Sequence, residues 1–216
     1  LRALARKGVF YALLAAIVLG GAAEVTMAQW ASAFLEKGLR LPKLAGDVWG
    51  VCFFSLMLAL GRSGYAALGA RVPLHRLLIG SGAAAVLYVV CALAPSPLLG
   101  VLACGLTGLC VSLLWPGAII LASRRIPSAG AAMFALLSAG GDVGASLGAF
   151  CVGRAADWAQ ASGTVFAGAA GESGALRAGL LLAAVFPLLC CGVHTALHCS
   201  EARAGLPAGS ERRRRQ

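Results

Sequence analysis

Apolar residues run along this chain in long blocks, and polar residues gather in the gaps between them. The blocks cover about 9–34, 46–68, 77–93, 98–122, 129–152 and 176–197. A helix needs roughly 20 apolar residues to cross a hydrocarbon core about 30 Å thick, so the pattern predicts an all-α chain with six transmembrane helices. The gaps are punctuated by Pro42, by Arg71 and Pro73, by Pro95-Ser96-Pro97, by Arg124-Arg125-Ile126-Pro127 and by a Gly- and Ala-rich stretch over 153–174. The Pro-Ser-Pro link divides the spans into three plus three. Residues 1–199 therefore read as one six-span unit. Residues 200–216 read as a disordered basic tail ending Arg212-Arg213-Arg214-Arg215. Pro116 and Pro187 lie inside spans, where each removes a ladder hydrogen bond and predicts a kink.

Composition agrees. Hydrophobic residues make up 60 % of the chain and charged residues 12 %. The mean hydropathy is +0.86. These values place the chain among integral membrane proteins, with the lipid bilayer as its first partner. A net charge of +10 does not point to nucleic acid, because the basic residues sit between apolar blocks and form no face. Eight cysteines fall in or at the ends of spans, with no C-x-x-C and no histidine spaced to complete a zinc site. They read as small buried thiols, and no metal or cofactor is expected. The first block is too long for a signal peptide and carries Glu24. The chain begins with Leu1, which suggests a start inside a longer reading frame.

Six spans put both termini on one side. That side holds Arg2, Arg6, Lys7, Arg62, Arg71, Arg76, Arg124, Arg125, Arg203 and the terminal arginines. The other holds Lys37, Arg40, Lys43, Arg154 and Arg177. The positive-inside rule then predicts cytoplasmic termini, in a protein of the cell (inner) membrane.

Chemistry inside the spans is sparse. Glu24 follows Gly20 and Gly21, which allow a bend or a close helix contact, and lies about 22 Å along its helix. Asp142 lies about 20 Å along the fifth helix, at similar depth. An ionisable side chain there is costly, and marks a candidate site for substrate or proton coupling against the plainer reading of a buried structural acid. Gln29 and Trp30 supply an amide and an indole suited to a sugar-like ligand, although Gln29 is about 140° around the helix from Glu24. Trp30 also fits an aromatic belt. Arg62 reads either as a snorkelling cation or as a partner in a gating ion pair. Gly140, Gly144 and Gly148 form a small-x-x-x-small ridge for helix packing. Gly144-Ala145-Ser146-Leu147-Gly148, with His194 and His198 in the next span, raises a rhomboid-like intramembrane serine protease. The expected depths separate Ser146 from the histidines by about 20 Å, beyond reach of a general base, so no enzyme is expected. A non-transporting membrane scaffold is the other alternative.

Three stretches carry a family resemblance. Gly21-Ala22-Ala23-Glu24-Val25, with Gln29, Trp30 and Phe34, resembles the seventh helix of fucose-permease-like sugar:proton symporters of the major facilitator superfamily. Gly61-Arg62-Ser63-Gly64-Tyr65-Ala66-Ala67-Leu68-Gly69-Ala70-Arg71 sits where that superfamily repeats a Gly-x-x-x-Asp-Arg-x-Gly-Arg loop; Gly61, Arg62, Gly69 and Arg71 remain and the Asp is absent. Residues 129–152 resemble the eleventh helix. The resemblance implies two three-helix repeats forming half of a twelve-helix transporter. It also implies proton-coupled symport of a small hydrophilic solute, sugar being the leading guess, and a missing N-terminal six-helix half, with the glycine ridge as a seam toward it. In a cysteine-free background, Glu172→Cys is expected to react with an impermeant thiol reagent applied outside cells, and Ser210→Cys is not. The reverse pattern would invert the topology.

Overall fold

A computed structural model describes residues 8–69, 71–127 and 130–203, the last three by backbone alone. Among them the chain is all-helical. Six helices are long and apolar enough to span a membrane: α1 (Gly8–Gly38), α2 (Lys43–Leu68), α3 (Leu74–Leu93), α4 (Pro97–Arg125), α5 (Gly130–Ala161) and α6 (Gly171–Ser200). The chain is an integral membrane protein. Arg2, Arg6, Lys7 and Arg212–Arg215 lie outside the described residues.

The helices overrun their apolar blocks. The stretch from 153 was expected to be loop, yet α5 continues to Ala161. Its added turns are polar, with Arg154 and Asp157 paired at 3.6 Å on one face. Its 32 residues rise about 48 Å, more than a hydrocarbon core requires. Hydropathy marks where a helix leaves lipid, and the backbone ladder continues beyond that point. The last helix likewise starts at Gly171 and runs through Arg203, past the expected start of the tail at residue 200.

Three helices are interrupted. α4 breaks at Ser112–Leu113, because Pro116 has no N–H to give the Ser112 carbonyl four residues back. α6 breaks at Ala184, beside the Ala183 carbonyl that Pro187 leaves in the same way. α3 breaks at Ser81–Gly82 without a proline. There the Ser81 hydroxyl donates to the Leu78 carbonyl and competes with the ladder.

α1 is the hub: it packs most closely on α5 and also on α6, α4 and α2. Glycine sets the approach. A Cβ at Gly144 would overlap the Val18 carbonyl, one at Gly21 would overlap the Gly141 carbonyl, and one at Gly148 would lie 2.8 Å from Ala22 Cα. Gly140 meets the Leu14 side chain. The ridge expected to face an absent half is thus occupied by α1 of the same chain. Its periodicity announces a close contact but not against which helix. Gly20 and Gly21 likewise serve close contact, within an unbroken α-helix over Gly8–Ala33.

Arg177 also departs from expectation. It counts among the outward-side cations at the start of the sixth span, yet it is buried and donates to the Ala92 and Ala94 carbonyls at 3.0 and 2.9 Å, over the Phe34 ring at 5.9 Å. It caps the C-terminal end of α3, where carbonyls lack ladder donors and the helix dipole favours a cation. In its most apolar stretch α4 has 56 % of its residues buried, whereas the corresponding stretches of α2 and α5 have only 17 % and 28 %. Those two helices present the bundle's open faces.

Gly144→Val forces a branched side chain onto the α1 backbone and is expected to cost about 3 kcal/mol. Gly192→Ala, where an added Cβ meets nothing within 4 Å, is expected to be neutral. Thermal unfolding in detergent reads both, and equal stability would remove the α1–α5 seam as the determinant of packing.

Candidate functional site

Glu24 is buried on the face of α1 that meets α2 and α4. Arg62 of α2 reaches it with Nη2 at 2.7 Å from Oε1. The Arg62 Nε donates to the Ser112 carbonyl at 3.1 Å. That carbonyl is the one Pro116 releases from the α4 ladder. A single guanidinium therefore ties a carboxylate on α1 to the break in α4. Two glycines let the three helices converge: a Cβ at Gly61 would overlap the Ser112 hydroxyl, and one at Gly20 would lie 3.0 Å from Leu114 Cβ. The bond is charge-assisted at both ends of the pair. Glu24 Oε2 is buried with no protein hydrogen-bond partner among the described residues. Tyr88 of α3 donates to the Ala23 carbonyl at 2.6 Å, next to Glu24 along α1.

The other expected residues do not gather here. Asp142 is exposed on the outer face of α5, near exposed Val143 and Leu147. Its side chain has no ion pair or hydrogen bond among the described residues; Ser146 Oγ donates to its backbone carbonyl at 3.0 Å. The Trp30 indole donates to the Ala149 carbonyl at 3.1 Å and lies beside Gly153, so it fastens α1 to α5. Gln29 is exposed, and Arg71 is exposed in the α2–α3 loop after Gly69, which ends α2. Ser146 and His194 do not meet: Ser146 bonds within α5, and both His194 nitrogens are buried without hydrogen bonds among the described residues.

Sequence reasoning missed Ser112, Tyr88 and Arg177. Ser112 was findable, since counting four back from Pro116 names the released carbonyl. Tyr88 and Arg177 have no local signal, because their partners are backbone carbonyls of distant helices. Among the described residues no group of three or more His, Cys, Asp or Glu side chains gathers as a metal site.

Comparison with protein-family models, curated proteins and solved structures returned no match.

Removing one member of a buried ion pair leaves an uncompensated charge, at about 3–5 kcal/mol when both are buried. The Arg62 side chain is 43 % exposed, so the pair is only partly buried, and discounting for that exposure the expected loss for Glu24→Gln or Arg62→Gln is about 2 kcal/mol. The double variant is expected to lose less than the sum of the singles. Thermal unfolding of the four proteins closes the cycle, and strict additivity would show that the pair does not couple.

Proposed function

We propose that this chain is six-helix half of a proton-coupled secondary transporter for a small hydrophilic solute, with sugar the leading candidate. It corresponds to the C-terminal half of a major facilitator superfamily symporter, both termini cytoplasmic and the bundle set in the cell membrane. The observation that carries this reading is the Glu24–Arg62 pair joined to the broken α4. A carboxylate and a guanidinium inside spans are costly in lipid and persist where they serve a task. Here the pair links three helices, and one proton changes the link. With Glu24 ionised, Arg62 holds α1 and α4 together. With Glu24 protonated at the unbonded Oε2, the charge attraction is lost: the Nη2 bond to Oε1 weakens to one with a neutral acceptor, while Arg62 keeps the Ser112 carbonyl. A change in protonation thus biases how α1 sits against α2 and α4, which is the element alternating access requires.

Packing supports the rest. α1 packs on α5 as α4 packs on α2, and α1 meets α6 as α4 meets α3. Two three-helix units exchanged by a pseudo-twofold would produce those pairings. The open faces of α2 and α5, and an exposed mid-span carboxylate at Asp142, support a second half that covers them. Of the outward cations, Lys37 pairs with Glu172 at 2.7 Å, Lys43 with Asp47 at 3.5 Å and Arg154 with Asp157 at 3.6 Å, while Arg40 and Arg177 have no ion pair among the described residues. The excess of Lys and Arg on the side of Arg62, Arg71, Arg76, Arg124 and Arg125 supports cytoplasmic termini.

Glu24→Gln mimics the permanently protonated site. In vesicles holding this chain with its other half, the variant is expected to exchange labelled hexoses in counterflow as wild type does. It is expected to lose accumulation driven by a pH gradient. Normal accumulation in Glu24→Gln would remove Glu24 from coupling and shift the role to Asp142.

A further inference from the structure

A cleft of about 490 Å³ opens between α2, the first half of α3 and the break of α4. Its size falls in the about 300–1,000 Å³ range of ligand sites. It exists because α2 and α3, though consecutive, scarcely touch, while α2 packs on α4 and the second half of α3 packs there too. A Cβ at Gly64 or at Gly80 would meet nothing within 4 Å. The walls are apolar, built from Leu60, Leu68, Val72, Leu77, Leu109 and Leu113. The serines present do not change this, since Ser81 and Ser112 donate their hydroxyls to the Leu78 and Leu109 carbonyls of their own helices. A hydrophilic solute would find few donors here.

One end of the cleft is charged. Arg76 lines it beside the α2–α3 loop, and exposed Arg71 lies in that loop. Neither guanidinium has an ion pair among the described residues. From Leu68 at the loop end to Leu60 the helix rises about 12 Å, close to the roughly 15 Å depth of one leaflet of hydrocarbon. We infer that this cleft seats an acyl chain of an anionic phospholipid whose headgroup is held by Arg71 and Arg76. The cations meet the phosphate at the membrane surface, and the chain fills the gap that α2 and α3 leave. Ser112 and Gly61 belong to the same wall, so the lipid abuts the place where Arg62 reaches α4. The assignment does not depend on what the protein transports.

Native mass spectrometry of the full chain, released from detergent with equimolar phosphatidylglycerol and phosphatidylcholine, tests this. Wild type is expected to retain one phosphatidylglycerol with about tenfold preference, as two arginines at a lipid headgroup allow. Arg71→Gln/Arg76→Gln is expected to bring the two lipids to parity. Gly64→Leu/Gly80→Leu is expected to fill the cleft and retain neither, while Gly192→Leu on α6 retains phosphatidylglycerol as wild type does. Equal retention of both lipids by wild type would overturn the assignment. So would phosphatidylglycerol that stays in the filled variant, or a dimer of the chain that the filled variant dissociates, since a second copy would then be the occupant. If the filled variant fails to fold, the arginine pair decides: unchanged preference there refutes the site.

Discussion

A backbone in hydrocarbon has no water to satisfy it, and this chain breaks its helices in spite of that. Every break or end inside the apolar region leaves carbonyls that must find donors within the protein. Arginine supplies them repeatedly. Arg62 takes the Ser112 carbonyl at 3.1 Å, and Arg177 takes the Ala92 and Ala94 carbonyls at the end of α3. A guanidinium has several donors in a fixed fork, so it can serve a carbonyl and still face another partner. At Ser112 this matters most. Pro116 frees the carbonyl, the carbonyl anchors Nε, and the anchored guanidinium presents Nη2 to Glu24. The geometry of the ion pair is therefore tied to a carbonyl that Pro116 frees one turn away along α4.

Helix periodicity decides which groups share that centre. Val18 and Ala22 lie one turn apart and face the glycine ridge of α5. Gly20 and Glu24 are also one turn apart, but two residues further on, about 200° around the helix. Gly20 touches Leu114 of α4, so Glu24 points to α4 and α2. Once the ridge is seated on Val18 and Ala22, Glu24 turns away from α5. Asp142 follows Gly141, which packs against Gly21 and Trp115, and its position on α5 is exposed. The two acids sit at comparable depth by residue count and still belong to different surfaces, because the seam between their helices separates them.

This explains what was legible beforehand. Span number and rough limits follow from hydropathy, since the bilayer acts on runs of residues and not on particular contacts. The helix ends were less legible: Arg154 and Asp157 continue α5 by pairing with each other outside the core. Glu24 stood out because an acid inside an apolar run is visible without a fold. Its partner was harder. Counting residues placed Arg62 nearer the cytoplasmic end than Glu24, an argument that assumes all helices start at one height. Stagger and tilt come from packing, here from Gly20, Gly61 and the α4 break. The glycine ridge was legible as a contact and misassigned as to partner, since small residues every four positions suit any helix that comes close. Tyr88 and Arg177 were illegible, because a side chain that serves a distant backbone carbonyl leaves no pattern in the sequence.

The surface that remains open bears on the same pair. Arg62 is 43 % exposed along its side chain whereas Glu24 is 11 % exposed, so the pair has one dry end and one accessible end. Water that reaches the accessible end through an open pathway would raise the local dielectric and weaken the attraction. Under the proposed function, a second half that closed over α2 would displace it. The charge pair would strengthen as the face was covered and weaken as it opened, provided Glu24 stayed ionised. Protonating Glu24 would remove the charge term and with it the dependence on cover. Proton occupancy and access to the α2 face are then two variables acting on one electrostatic term. Coupling of that kind needs no long pathway through the fold, because the carboxylate, the guanidinium and the helix break are already in contact.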